Sequence, residues 1–291
     1  MPAMASTQTP AEQGGTFEIK GLGPVRRLGF GAMRLTGPGI WGEPADREVA
    51  KSVARRAVEL GVDFIDTADS YGPNVSEEVL AEALHPYPTG LKIATKAGFV
   101  RPGPGWWVPV GRPEYLRQQV ELSLRKLRTE RLDLLQLHTI DPQVPAAEQF
   151  GVLAELQSEG KAAALGLSNV TVADIEEAGT YFTVATVQNQ YNLADGSSED
   201  VLDYCTANGI GFIPWAPIAR GSLASSDGPV AAAAERLGAT PGQIALAWLL
   251  RRSPAMLPIP GTGSIAHLEE NLGAAAISLD DATYVEITAA R

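Results

Sequence analysis

The chain has 291 residues, 45% of them hydrophobic and 20% charged, enough to bury a sizeable core. Its 23 Lys and Arg against 34 Asp and Glu leave a net charge of −11, which argues against a nucleic-acid partner because phosphate binding needs clustered cations. One cysteine, Cys205, excludes an intrachain disulfide and fits a reducing, cytoplasmic location, and no apolar run approaches the ~20 residues that span a bilayer.

Residues 1–15 have neither a basic cluster nor an apolar stretch of signal-peptide type and read as a disordered tail. Thr16–Lys20 and Val25–Leu28 flank a Gly/Pro turn and predict a small hairpin. Leu28–Met33 is a short apolar strand, followed by a Gly-rich loop. Asp46 then caps a helix over Arg47–Leu60, which Gly61 stops. The strand Val62–Ile65 leads through a polar turn to the helix Ser76–Leu84. Leu91–Thr95 is the next strand, with a long Gly/Pro loop behind it and a helix over Arg112–Leu127. Leu132–Leu137 and Ala162–Leu167 are strands followed by the helices Pro145–Glu159 and Val172–Ala178. Val184–Gln188 precedes the helix Ser198–Ala207. Ile210–Pro214 precedes a Gly/Ser loop and the helices Val230–Leu237 and Pro241–Leu250. Met256–Ile259 is the last strand, Ile265–Leu272 its helix, and Asp280–Ala290 a closing helix.

Eight strands, each followed by a helix, predict a single α/β domain over residues 16–291, a (β/α)₈ TIM barrel with a short N-terminal hairpin. The strands read as continuous apolar runs, as parallel strands covered on both faces should. The rival is a doubly wound sheet, whose nucleotide fingerprint G-x-G-x-x-G is matched by Gly37-Pro38-Gly39-Ile40-Trp41-Gly42. That match is rejected. Pro38 has no N–H to offer a phosphate, and the helix begins only near Asp46 rather than within the glycines.

Barrel chemistry sits at the C-terminal ends of the strands. There the sequence places Asp66 and Tyr71 after the second strand, Lys96 at the end of the third and His138 after the fourth. Each alone has an ordinary reading: a turn cap, a packing ring, a core histidine. Lys96 ending a buried strand is odder, because lysine is rarely buried without a partner. Together they make a proton donor. An ammonium beside a phenol favours phenolate and should lower its pKa, a carboxylate holds the ammonium charged, and an imidazole orients a carbonyl oxygen. Such an acid suits reduction of a carbonyl by hydride. The three histidines, His85, His138 and His267, are not at ligand spacing, so a metal-dependent barrel enzyme is disfavoured.

These segments resemble the aldo-keto reductases, over nearly the whole chain from Arg27 to Leu272. Asp66-Thr67-Ala68-Asp69-Ser70-Tyr71-Gly72 is similar to the family's catalytic Asp and Tyr segment, and Lys96 and His138 match the rest of its tetrad. The resemblance implies an NADP(H) cofactor, with NAD(H) left open. Ser168, Asn169 and Gln188 would hold the nicotinamide carboxamide, and Trp215 would stack on the ring. Two stretches, one with Pro217, Ile218, Ala219 and Gly221 and one with Gly261, Thr262, Ser264, His267, Glu270 and Asn271, would take the phosphates and adenosine. The last stretch departs from the family. Gly261 and Gly263 stand where Lys or Arg is common, and His267 where Arg is, so the preference for NADPH should be modest.

Gly31 to Gly42 and Ile259-Pro260-Gly261-Thr262 resemble a bacterial branch that reduces pyridoxal. Trp41, Trp106 and Trp107 are loop aromatics suited to a flat aldehyde. The implied activity is reduction of aldehydes or ketones to alcohols, pyridoxal to pyridoxine among them, with Tyr71 as general acid. The alternative is a cofactor-binding regulatory protein of the same fold with little turnover. Small-molecule carbonyls are the expected partners, with neither nucleic acid nor membrane.

Overall fold

The computed structural model describes residues 8–218 and 228–290. A 3₁₀ turn over Pro10–Gly14 opens it, followed by β1 (Thr16–Ile19), β2 (Gly23–Arg26) and β3 (Phe30–Gly31). The chain continues through α1 (Arg47–Glu59), β4 (Phe64–Asp66), α2 (Val75–Leu84), β5 (Lys92–Ala97), β6 (Phe99–Gly103), β7 (Trp106–Pro109), α3 (Pro113–Lys126) and β8 (Leu132–Leu137). Then come α4 (Ala146–Ser158), β9 (Ala162–Ser168), α5 (Val172–Ala178), β10 (Val184–Gln190), α6 (Glu199–Asn208) and β11 (Gly211–Trp215). The last helices are α7 (Pro229–Leu237), α8 (Pro241–Arg252), α9 (Ile265–Gly273) and α10 (Asp281–Ala289). No helix among the described residues is long and apolar enough to cross a membrane.

Seven strands form one parallel sheet in the order β11-β10-β9-β8-β5-β4-β3. Its two edges meet on the segment 255–261. Leu257 N–H donates to the Phe212 carbonyl (2.8 Å) on one side, and Gly29 N–H donates to the Pro258 carbonyl (2.9 Å) on the other. This segment was expected to be an eighth regular strand, Met256–Ile259. It makes only single bridges, Phe212 with Met256 and Gly31 with Gly261. The reason is chemical: Pro258 and Pro260 have no N–H, so alternate ladder bonds cannot form.

Two cores follow from strand alternation. The inner one takes side chains from around the sheet: Phe64, Ala94, Leu134, Ala164, Ala185, Ile213, Leu257 and Ile259. Ile19 and Val25 of the antiparallel pair β1–β2 pack into the same cluster. The outer core lies between the sheet and the apolar stripes of the helices, for example Val53, Ala54 and Ala57 of α1. Truncating a fully buried leucine such as Leu134 to Ala costs about 2–5 kcal/mol in such packing.

Two segments show structure beyond the sequence reading. Of the tail expected over residues 1–15, the described part begins at residue 8 and contains the 3₁₀ turn Pro10–Gly14; residues 1–7 lie outside the described set. Ala11 is fully buried, its N–H donates to the Leu60 carbonyl (3.2 Å), and Glu12 accepts from the Thr9 amide (2.6 Å). Thr-Pro-Ala-Glu is a short capping signal that polar composition concealed. The long loop after β5 instead contains the antiparallel pair β6–β7, turned at Pro104-Gly105. Phe-Val-Arg and Trp-Trp-Val on either side of that turn carried the strand signal.

Candidate active site

The C-terminal ends of β4, β5 and β8 bring the four expected side chains into one buried cluster. Asp66 ends β4, Lys96 lies near the end of β5, and His138 follows β8. Tyr71 sits in the turn between β4 and α2. That turn requires glycine at Gly72, where φ is +103° and a Cβ would lie 2.4 Å from Val75 Cβ. Gly72 also locks the Gly-rich loop onto the site: Gly42 N–H donates to its carbonyl (2.7 Å), and its own N–H donates to the Ile40 carbonyl (3.3 Å). Gly37–Gly42 is thus a rim loop folded on itself, with Gly37 N–H bonded to the Gly42 carbonyl (3.0 Å).

Lys96 is fully buried. Its ammonium donates to Asp66 Oδ2 (2.7 Å), the Thr67 carbonyl (2.8 Å) and the Tyr71 hydroxyl (3.2 Å). Asp66 Oδ1 accepts from Gln188 Nε2 (2.8 Å) and from Gln136 Nε2 (3.4 Å). Each partner charge is therefore matched, as burial of an ion pair demands. Burial alone would lower the Lys96 pKa, but Asp66 and Tyr71 together more than offset this and it lies above the ordinary lysine value.

One expectation is corrected here. Lys96 was expected to lower the Tyr71 pKa, and its charge does act in that direction. Burial acts more strongly, Asp66 and Asp69 add to it, and the phenol lies above its usual range. Tyr71 is a firmly protonated donor in the free protein. His138 is held well below its usual value by burial first, then by the charges of Lys96 and Arg101, and is neutral.

A cavity of about 650 Å³ opens onto these groups, lined among others by Ile40, Tyr71, Phe99, Trp107, His138, Ser168, Asn169, Gln188 and Trp215. It runs into a second cleft of about 240 Å³ bordered by Pro217, Ile218, Pro260 and Gly261. Arg34 borders both; it is exposed and, among the described residues, makes no ion pair. Of the three loop tryptophans, Trp107 alone is in the cavity wall. Trp106 is 60% exposed, and Trp41 lies 5.9 Å from the Arg101 guanidinium at the rim.

Sequence reasoning assigned no placing role to Arg101 or Ser70. Arg101 is 7% exposed. Its guanidinium donates to the carbonyls of Gly39, Ile40, Ser70 and Trp106, each at 2.9 Å, and stacks 3.6 Å from the Trp107 ring centre. It joins three rim loops and fixes the aromatic wall; its position in the β6 strand, unrecognised as a strand, hid this. Ser70 Oγ lies 3.2 Å from His138 Nδ1. Its place beside Tyr71 in the motif was the available signal.

The residues expected to hold a cofactor are partly committed to one another. Asn169, in a left-handed conformation (φ +59°), donates to the His138 carbonyl (3.0 Å) and to Ser168 Oγ (3.1 Å). It accepts from Trp215 Nε1 (3.0 Å). Ser168 keeps its own proton to donate. At the second stretch Thr262 Oγ1 accepts from the Ser264 amide (3.0 Å), His267 is exposed and Asn271 is buried. Ser264 makes no side-chain cap to α9, which leaves first-turn amides for an anion. Glu270 faces the other way, accepting from Thr240 Oγ1 (2.7 Å). Ala219 and Gly221 lie outside the described residues. The cleft, the hydroxyl of Ser168 and the uncapped helix start fit an extended, anionic cofactor.

The model of the aldo/keto reductase family matches residues 27–291. The chain belongs to that family. It is 50% identical to an uncharacterised oxidoreductase of Schizosaccharomyces pombe over 97% of this chain and 92% of the relative. It is 42% identical to the pyridoxine 4-dehydrogenase of Escherichia coli over 91% of this chain and 94% of that one. Among solved structures, an aldo-keto reductase from Klebsiella pneumoniae in complex with NADPH superposes with TM-score 0.81 at 26% identity, covering 94% of each chain. The glycerol dehydrogenase of Gluconobacter oxydans superposes with TM-score 0.86 at 25% identity, again over 94% of each. An aldo/keto reductase is an oxidoreductase.

Proposed function

We propose that this aldo/keto reductase uses NADP(H) to reduce aromatic aldehydes to alcohols, pyridoxal to pyridoxine being its foremost substrate, with Tyr71 as general acid. The observation that carries the reading is the Tyr71 hydroxyl, held by Lys96 at 3.2 Å on the wall of an aromatic cavity. The bound cofactor supplies a hydride. Lys96 occupies a lone pair of the phenol oxygen, so the phenolic proton is free to leave toward the cavity. As it leaves, the ammonium stabilises the phenolate that remains. His138 is neutral and presents a ring nitrogen to orient the carbonyl oxygen.

Ser168 and Asn169 would hold the nicotinamide end, the cleft along Pro217, Ile218 and Gly261 the middle, and the start of α9 the 2′-phosphate end. Residues 255–261 are read as the eighth stave of a (β/α)₈ barrel, supported by their hydrogen bonds to both sheet edges. The choice of pyridoxal is supported by the 42% identity to a pyridoxine 4-dehydrogenase and by Trp107 and Phe99 in the wall. The test is nicotinamide oxidation with pyridoxal beside sugars, keto-steroids and aliphatic aldehydes. The expected result is the highest kcat/KM for pyridoxal. Equal or better turnover of the panel would reject the substrate, and no turnover of any carbonyl would reject the activity.

A further inference from the structure

We infer that Ser70 is a positioning residue that fixes the tautomer of His138, donating its hydroxyl proton to Nδ1 so that Nε2 carries the hydrogen toward the cavity. The inference rests on the reductase reading, which makes His138 the group that orients a carbonyl.

A carbonyl oxygen is an acceptor. A neutral imidazole helps it only by donating an N–H, and a neutral ring has one. The two tautomers are therefore not equivalent: Nε2–H binds the carbonyl oxygen, whereas an Nε2 lone pair repels it. What decides between them is the partner of the other nitrogen. Ser70 Oγ is 3.2 Å from Nδ1, and both residues are buried, at 1% and 7% exposure. Among the described residues, no other side chain hydrogen-bonds to the ring. Tyr71, Phe99 and Trp107 meet it edge to face, with centroids 4.8–6.0 Å away. The charges that act on it, Lys96 and Arg101, are both cations and cannot accept from Nδ1.

Ser70 is itself placed firmly. Its carbonyl accepts from Arg101 (2.9 Å), so the serine is anchored by the same guanidinium that fixes the aromatic wall. A hydroxyl can donate or accept, and the rival acceptor to weigh is the neighbouring buried carboxyl of Asp69. If Ser70 donated there, it would accept from Nδ1–H and the tautomer would reverse. Neither oxygen of the Asp69 carboxyl is in hydrogen-bond geometry with a donor among the described residues, whereas Ser70 Oγ is so placed against His138 Nδ1. The serine proton therefore goes to His138.

The chain has three histidines, so ¹⁵N-histidine labelling of the whole protein and long-range proton–nitrogen correlation resolves each ring. The His138 signals are those lost in His138→Gln. The expected result is an unprotonated Nδ1 and a protonated Nε2 in the wild-type protein. Ser70→Ala should give a mixture of tautomers and a fall in kcat/KM of up to about tenfold, the range of one lost hydrogen bond. Ser70→Thr, which keeps the hydroxyl, should restore both. A wild-type ring protonated at Nδ1, or a tautomer unchanged in Ser70→Ala, would overturn the inference. The tautomer is read without substrate, so a protein that reduced no carbonyl would sink the proposed function and leave this measurement to stand or fall by itself.

Discussion

The Lys96 ammonium donates to the Tyr71 hydroxyl at 3.2 Å and to Asp66 Oδ2 at 2.7 Å, so a single buried cation holds both the proton donor and the carboxylate. This arrangement separates two effects that are easily merged. The ammonium does not make Tyr71 acidic in the resting protein, because burial outweighs it. In the proposed reaction it acts when the proton leaves and a phenolate must survive at a buried position. Stabilisation of that charge is stronger there than it would be at the surface.

Tyr71→Phe removes the donor and keeps the ring. The kcat for carbonyl reduction should fall by ~10²–10⁴ with cofactor affinity retained. In the wild-type protein the raised phenol pKa predicts that kcat for reduction stays level up to ~pH 9 and is lost only as pH rises through the pKa of Tyr71. Steady-state rates across pH check both, and a Phe variant with near-normal turnover would remove Tyr71 from the mechanism.

Lys96→Met leaves Asp66 as an uncompensated buried carboxylate. Breaking such a pair costs about 3–5 kcal/mol, so the melting temperature should fall clearly. The phenol pKa should move further up. The pH dependence of alcohol oxidation, which needs the phenolate as base in the proposed reaction, should then shift to higher pH. Thermal unfolding and pH–rate profiles measure this; an unchanged pH–rate profile and kcat would make Lys96 a purely structural residue.

The legibility of this site in the sequence has a physical basis. Asp66, Lys96 and His138 sit at the ends of apolar runs, where a polar residue is anomalous, so position alone marked them. Ser70 lies in a turn and Arg101 in β6, a strand that reads as loop, and polar residues are ordinary in such segments, so only the fold reveals what they touch. The same division holds for the architecture. Strands dominated by apolar residues, such as Leu132–Leu137, were read with their observed bounds. The closing segment was misread as a regular strand because Pro258 and Pro260 preserve its path but not its ladder. The pair β6–β7 was missed because Gly103-Pro104-Gly105 reads as loop, although it is only the turn.

Glu77 offers a pH test independent of catalysis. It is fully buried, and burial pushes its carboxyl up to about 7, while Thr95 Oγ1 donates to Oε1 (2.6 Å). A carboxyl whose pKa is higher in the folded protein binds its proton more tightly there. Its contribution is intact below the unfolded value of 4.5 and is lost as pH rises toward about 7. Glu77→Gln keeps an acceptor for Thr95 without the charge. It should match wild type at acidic pH and be more stable at pH ~8 by up to about 3 kcal/mol, at ~1.4 kcal/mol per pH unit. Chemical denaturation at the two pH values decides it; a parallel pH dependence in both proteins would refute the assignment.

The aromatic wall should discriminate by substrate shape. Trp107→Ala should raise KM for pyridoxal severalfold more than KM for a small aliphatic aldehyde, while Trp106→Ala, at an exposed position, should leave both nearly alone. Arg101→Met should resemble Trp107→Ala, because the ring then loses the cation stacked on it at 3.6 Å and the loops lose four hydrogen bonds. Ratios of kcat/KM for the two aldehydes report the effect. Equal losses for both substrates in Trp107→Ala would take the ring out of specificity.

Cofactor preference should turn on the start of α9. The stretch from Pro260 to Leu272 has neither Lys nor Arg, and the nearby Arg56 is paired with Glu269 at 2.7 Å. A 2′-phosphate there would be met by Thr262, Ser264, His267 and the first-turn amides, which favour an anion without the fixed charge of a Lys or Arg. NADPH should therefore bind more tightly than NADH by a modest factor. His267 is exposed, in the first turn of α9, so a longer cationic side chain fits without disturbing the core. His267→Arg should add a charge-assisted bond worth about 1.5–3 kcal/mol, at least tenfold in NADPH affinity, and change NADH affinity little. Titration of both cofactors against tryptophan fluorescence separates the outcomes. Equal tightening of both would place the 2′-phosphate away from α9, and a wild-type protein that bound NADH better than NADPH would reverse the assigned cofactor.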